Sequence, residues 1–192
     1  MSADLFEPFQ LGDLALANRM IMAPMTRNRA DENGVVQPMT VTYYQQRASA
    51  GLVITESTPV SPEGVGYPYT PGIYTDAQAA SWLHVTDAVH AAGGHVFVQL
   101  QHCGRISHPN LLPDNATPAG PSALRPTGQA VTSGMQDFVT PRALDTGEIP
   151  GIVAQFQRGA EKARRAGFDG VEVHGANGYF EVRRSVYRQQ RL

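Results

Sequence analysis

The chain has 192 residues, 42% of them hydrophobic, with 19 glycines, 14 prolines and a formal net charge of −2. That length suits one domain with a sizeable core, and the charge gives no electrostatic footing for nucleic acid or an anionic membrane. A single cysteine, Cys103, excludes an internal disulfide; no apolar run reaches membrane-spanning length; and "MSADLFEPFQLGDL" lacks the basic and apolar regions of a secretory signal, so a cytoplasmic protein is the expectation.

In chain order, "RMIMAPM" (19–25) predicts a buried strand, and "TVTYYQQRASAG" (40–51) a helix ended by Gly51. "LVITES" (52–57) predicts a second strand, rich in β-branched residues. "DAQAASWLHVTDAVHAAGG" (76–94) sets Trp82, Val85, Val89 and Ala92 on one helical face. Thr75 and Gln78 have the spacing of a capping box, and Gly93-Gly94 stop the helix. "HVFVQLQ" (95–101) predicts a third strand. In "GEIPGIVAQFQRGAEKARRAG" (147–167), Ile149, Ile152, Val153, Phe156, Ala160 and Ala163 form a stripe, with Asp145 and Glu148 spaced as a second cap. "FDGVEVHG" (168–175) predicts a fourth strand.

Continuous apolar strands alternating with helices imply a parallel sheet buried on both faces. Links from helix to strand are short; those from strand to helix (26–39, 58–75 and 102–146) are long. Long loops after the strands' C-terminal ends are where (β/α)8 barrels build active sites. No G-x-G-x-x-G follows a strand, which argues against a dinucleotide-binding open sheet. A full barrel takes about 250 residues, so four strands predict an α/β half-barrel: the first four β/α units over 1–180. The link 102–146 is an excursion suited to covering a substrate.

Four clusters fall on the C-terminal rim: "APMTRNR" (23–29), "TESTPVSPEGVGYPYTPGIY" (55–74), "VQLQHCGRISHP" (98–109) and "VHGANGY" (173–179). They offer an apolar shelf at Pro24-Met25 with the Thr26 hydroxyl, an amide at Gln99, and His174, Asn177 and Tyr179 just past the fourth strand. There is no G-x-S-x-G, H-E-x-x-H or C-x-x-C, which disfavours hydrolase and metal chemistry. Amides and hydroxyls over an apolar floor suit a planar heterocycle, with a redox cofactor carrying the chemistry.

Taken alone, His174 and Asn177 read more readily as satisfied polar residues at a strand end. Tyr179 alone reads as a packed rim aromatic, Thr26 as a turn residue, Ser57 as a loop start, and Tyr67 evenly as pocket or surface. Gln99 differs, since an amide inside an apolar strand needs partners. His102 and Arg105 read as braces of the long loop, and Cys103 as a small buried residue.

Together the quoted clusters, with "PRAL" and "GFDGVEVHGANGY", resemble the Old Yellow Enzyme family of FMN-dependent ene-reductases from about Leu5 to Phe180. The resemblance implies that Pro24, Met25 and Thr26 lie along the flavin, with Thr26 near its C4 carbonyl. Ser57 would approach the same pyrimidine end through its backbone, and Gln99 would bond the O2/N3 edge. His174, also near the flavin, and Asn177 would hold the carbonyl oxygen of an α,β-unsaturated substrate. Hydride would pass from flavin N5 to the β-carbon, and Tyr179 would protonate the α-carbon. Tyr67 and Gln101 would line the substrate pocket, Gln101 standing where relatives often carry Trp. NAD(P)H would reduce the flavin first, in ping-pong fashion.

After Tyr179 the chain departs from the family. "EVRRSVYRQQRL" (181–192) carries Arg183, Arg184, Arg188 and Arg191 against one acid, and reads as a disordered basic tail. The family pattern has four more strands, supplying an Arg near flavin N1/O2 and the FMN phosphate site. A frameshift near residue 181 is the expected origin of the tail, with the nucleotide sequence as its test. Two expectations therefore stand together: an NAD(P)H-dependent FMN reductase of small activated alkenes, and an inert fragment that does not hold FMN and self-associates through its open sheet edges.

Overall fold

The structure, a computed structural model, describes residues 4–180. The expectations about 181–192 lie outside the described residues.

Its centre is a four-stranded parallel sheet. The chain opens with a hairpin of β1 (Phe9–Leu11) and β2 (Leu14–Leu16). Then come β3 (Ile21–Met22), α1 (Pro38–Gln45), β4 (Leu52–Pro59), α2 (Asp76–Ala91) and β5 (Val96–Gln101). The link after β5 holds short strands β6 (Ala119–Gly120), β7 (Gln129–Val131), β8 (Met135–Asp137) and β9 (Arg142–Ala143). It leads into α3 (Ile149–Arg165) and β10 (Gly170–Val173). In the sheet the order is β10-β5-β4-β3, all parallel. Each strand lies beside the one before it, without the reversal of a doubly wound sheet.

The two faces have different cores. On one, Val53, Val96, Val98 and Leu100 pack against Tyr44 of α1, Trp82, Val85 and Val89 of α2, and Ala163 of α3. On the other, Leu16 from the opening hairpin covers Leu52 and Ile54, with Leu14 and Phe97 beside them. The hairpin was not foreseen, although "LGDL" carries its signal: Gly12, at φ +57°, begins a two-residue turn. Asn18 ties it to the scaffold, accepting the N–H of Gly51 at 2.8 Å and donating to the Ser49 carbonyl at 2.9 Å.

Several elements differ from the sequence expectation. The strand expected over 19–25 shrinks to two residues and is not buried: Ile21 is 53% exposed, because β3 lies at the sheet edge and pairs only with β4. The first helix starts at Pro38, whose fixed φ suits the first turn, and ends at Gln45 in a run of tight turns. Gly51 is needed not as a helix stop but for close approach, since a Cβ there would lie 2.1 Å from the Asn18 carbonyl oxygen. The second strand runs on to Pro59.

On α2 the capping box is present, Thr75 Oγ1 accepting the Gln78 N–H and Gln78 Oε1 the Thr75 N–H. Trp82, Val85 and Val89 are fully buried, while Ala92 lies past the helix end and is exposed. On α3 the stripe is buried only toward its C-terminal end. Ile149 and Val153 are exposed, and contact runs through Gly159 and Ala163. A Cβ at Gly159 would lie 2.9 Å from Val60, so small residues set how closely this helix approaches the sheet. The sheet is not buried on both faces throughout: Val171 and Val173 of β10 are exposed beyond the cover of α3. Among the described residues no helix is long and apolar enough to cross a membrane.

Candidate active site

The C-terminal ends of β3, β4, β5 and β10 share one rim because the strands are parallel and paired side by side. Across it, three side chains of neighbouring strands form a row. Ser57 Oγ donates to Gln99 Oε1, and Gln99 Nε2 donates to Glu172 Oε1 at 2.6 Å. The ladder explains the row, since Ser57 and Glu172 are the register partners of Gln99 on its two sides. The amide has its partners within the chain, and Glu172 is a member of the site that sequence reasoning missed. The period-two alternation of "VEV" against "VQL" was the available signal.

Past β10 the chain turns back sharply. The His174 N–H donates to the Leu100 carbonyl at 2.9 Å, continuing the ladder by one bond. Asn177 and Gly178 then take φ of +58° and +79°, and the Tyr179 N–H closes on the Ala176 carbonyl at 3.4 Å. Two left-handed residues in succession make a type I′ turn, for which Asn-Gly is the favoured pair. The turn brings the Tyr179 ring to 5.1 Å from the His174 ring, edge-on. It also sets Tyr179 Oη 2.8 Å from Tyr67 Oη, which arrives from the link after β4. Gln101, buried at the end of β5, lies near the Tyr179 phenol.

Burial pushes the Tyr179 phenol well above its ordinary range, and the bond to Tyr67 adds to that; Gln101 works the other way. The phenol is therefore protonated at neutral pH, with its proton available. Burial pushes the His174 imidazole down, partly offset by Glu172, so the ring is neutral and offers one N–H.

Pro24, Met25 and Thr26 follow β3 in an extended segment; Pro24 is half-buried and the other two are exposed. The segment is held at its far end, where the Arg27 N–H donates to the Glu56 carboxylate at 2.8 Å and Asn28 Nδ2 reaches the Pro68 carbonyl at 2.5 Å. Thus Tyr67, Gln101, His174 and Tyr179 come together, as do Ser57 and Gln99. Among the described residues no hydrogen bond ties Thr26 or Asn177 to either group; both stand exposed on the rim.

His102 and Arg105 brace the long link. His102 Nδ1 accepts the Gly104 N–H at 3.0 Å, its ring lies 4.5 Å from Phe180, and burial holds its pKa down to about 4. Arg105 Nε donates to the Gly178 carbonyl at 3.4 Å. Cys103 is 1% exposed, and burial pushes its thiol up to about 12. The expected excursion 102–146 has structure of its own: β6 pairs with β9, and β7 with β8.

The chemistry of this donor set fits the edge of a planar heterocycle. It offers hydroxyls, an amide and a neutral imidazole around a partly apolar rim. Among the described residues no cluster of three His, Cys, Asp or Glu could hold a metal ion.

Comparison with known proteins agrees in sequence and in structure. The family model described as NADH:flavin oxidoreductase / NADH oxidase matches residues 4–183. A chanoclavine-I aldehyde reductase of Penicillium roqueforti is 48% identical over 177 residues, covering 91% of this chain and 46% of that protein. The 12-oxophytodienoate reductase 1 of Oryza sativa subsp. japonica is 45% identical over 179 residues, covering 91% and 45%. Among solved structures, morphinone reductase in complex with tetrahydroNAD superimposes with a TM-score of 0.91 at 50% identity, covering 93% of this chain and 51% of that one. The Old Yellow Enzyme homologue from Zymomonas mobilis gives 0.90 at 45% identity, covering 93% and 50%. The chain spans about half the length of the curated relatives it matches. Its four parallel strands and the three helices between them match about half of those barrel structures, and the chain belongs to the NADH:flavin oxidoreductase / NADH oxidase family, that of the Old Yellow Enzyme homologues.

Proposed function

We propose that this chain carries the cofactor and substrate rim of an NAD(P)H-dependent FMN reductase of α,β-unsaturated carbonyl compounds. Residues 1–180 are then barrel, and 102–146 cover the site. The observation that carries the reading is the convergence of Tyr179, Tyr67 and His174 beside the Ser57–Gln99–Glu172 row.

Pro24, Met25, Thr26, Ser57, Gln99 and His174 would hold FMN. When bound and reduced by NAD(P)H, FMN supplies the hydride for an electron-poor alkene. The neutral His174 imidazole donates a hydrogen bond to the substrate carbonyl oxygen, with Asn177 as second donor, and so favours the charge that develops there. Tyr179, kept protonated by its surroundings, gives its proton to the α-carbon. Tyr67 and Gln101 orient that phenol and limit the pocket. A cytoplasmic location fits such an enzyme.

The test is to incubate the 192-residue chain with FMN, desalt it, and record its visible spectrum. Retained, perturbed flavin followed by NADPH-dependent reduction of cyclohexenone supports the reading; a colourless protein overturns it for this chain.

The exposure of Ile21, Val171 and Val173 on the outermost strands favours a second reading. In it, the chain by itself neither retains FMN nor turns over, and its open edges pair with a second copy. The same spectrum, with size-exclusion chromatography, separates the two.

A further inference from the structure

Glu56 is 1% exposed in β4 and has no part in the chemistry above. Between the pairs Ile54–Phe97 and Ser57–Gln99 the register shifts, setting Thr55 and Glu56 against the single residue Val98. Such a bulge takes a residue out of the ladder, and its polar groups must find other partners. At Glu56 they all do. Its N–H donates to Tyr44 Oη at 2.8 Å. Its carbonyl accepts the hydroxyls of Thr58 at 2.8 Å and Thr55 at 3.2 Å. Its carboxylate accepts the Arg27 N–H at 2.8 Å and the Tyr44 phenol at 3.4 Å, and the Asn28 backbone nearby also favours its charged form.

These bonds join three elements. Tyr44 belongs to α1 and is fully buried, its ring 5.1 Å from Tyr43 and 6.2 Å from Trp82. Arg27 and Asn28 end the segment that presents Thr26, and Asn28 is held there at φ +53°. Ser57 is the next residue along β4. The two carboxylate oxygens accept one each, Oε2 the Arg27 N–H and Oε1 the Tyr44 phenol; an amide, with a single acceptor oxygen, or an apolar residue of that size does not. Burial pushes this carboxyl up, so its charge adds nothing obvious to stability. What the group does supply is a fixed spacing.

We infer that Glu56 is a positioning residue, clamping the Thr26 segment after β3 to the Ser57 segment of β4 so that both keep one distance on the rim. That this rim meets a flavin rests on the function proposed above; the clamp itself does not.

Amide hydrogen exchange, read by NMR on the 192-residue chain, tests it. Glu56→Gln is expected to speed exchange at Arg27 and Asn28 about ten- to a hundredfold relative to α2 amides, the range for hydrogen bonds to a charged acceptor. Val89→Ala, at a fully buried core position, is expected to speed exchange in α2 without singling out residues 27 and 28. Unchanged protection there in Glu56→Gln, or a change no larger than in α2, overturns the clamp. If Glu56→Gln does not fold, Tyr44→Phe decides: it must speed exchange at Glu56 and Arg27 above that in α2, and failure to do so overturns the proposal.

A parallel FMN titration, followed by flavin fluorescence, separates the two claims. No uptake by the wild type overturns the flavin reading and leaves the clamp to the exchange data. Uptake that is equal in wild type and Glu56→Gln overturns the positioning role toward the flavin.

Discussion

The phenol oxygens of Tyr67 and Tyr179 lie 2.8 Å apart although the residues are 112 positions apart in sequence. One comes from the link after β4 and the other from the turn after β10, so the contact exists only once β5 is seated between those strands. It gives the Tyr179 proton a defined neighbour. The phenol is raised first by burial and then by this bond. Tyr67→Phe is expected to lower the apparent pKa of Tyr179 without returning it to the ordinary value of about 10. The check is absorbance at the phenolate band during an alkaline titration, with Tyr179→Phe identifying the late-titrating group. The sign for stability follows. A raised phenol contributes fully below about pH 10 and loses that contribution as pH rises further, so Tyr179→Phe should flatten the alkaline limb of the stability curve.

If Tyr179 is the proton donor, Tyr179→Phe slows NADPH-dependent alkene reduction by about 10²- to 10⁴-fold. Uptake of FMN by the same variant should be unchanged. A loss of both would make the residue structural.

Cys103 is sealed in the fold, where a Cβ on Gly66 would lie 2.5 Å from its sulfur. With its thiol pushed up to about 12, it is expected to be inert to a thiol reagent at pH 8 in the native chain and to react with one equivalent in denaturant. Fast native labelling would mean that the link 102–146 opens readily.

Asp169 stands at the opposite end of the sheet. Its Oδ2 accepts the Val96 N–H at 2.8 Å and lies 3.0 Å from His90 Nε2; His95 Nδ1, at 3.6 Å from Oδ1, is too far for a hydrogen bond. Burial alone would raise this carboxyl, but the bonds from Val96 and His90 outweigh it and the net shift is downward. A lowered carboxyl gives stability that is present above about pH 4 and is lost as pH falls through its folded value. Asp169→Asn is therefore expected to cost about 1–2 kcal/mol at pH 7 and clearly less near pH 2, measured by urea unfolding.

Gly51 and Gly134 make a matched pair. A Cβ at Gly51 meets the Asn18 carbonyl oxygen at 2.1 Å, whereas one at Gly134 meets nothing within 4 Å. Gly51→Ala is expected to destabilise by about 2–3 kcal/mol and Gly134→Ala by less than about 0.5 kcal/mol. Equal effects would mean that the hairpin tie at Asn18 is loose.

Sequence patterns made the order of strands and helices legible, because continuous apolar runs such as 95–101 and capped amphipathic runs such as 76–91 are local signals. Burial at the edges was not local. Ile21 and Val173 look like core residues, yet their exposure depends on whether another element lies across them. On α3 the expected Ala163 is buried and Phe156 and Ala160 pack against the core, but Ile149 and Val153 are exposed, and Gly159, which no count of apolar residues weights, completes the contact. In the site, the individual groups could be named from the rim clusters. The partners Glu172 and Glu56 were missed, although the alternation of "VEV" against "VQL" offered a signal for the first. One requires the register of β10 on β5; the other requires a bulge that breaks the alternation from which register is read.

The loop 174–180 begins and ends on the same support: His174 N–H bonds the Leu100 carbonyl, and Phe180 N–H bonds the His102 carbonyl at 3.3 Å. A loop pinned at both ends to one strand and its extension travels with that strand as a single rigid body. His174 and Tyr179 thus share one footing, and a shift of β5 carries both together with the links that bond them through Tyr67, His102 and Arg105.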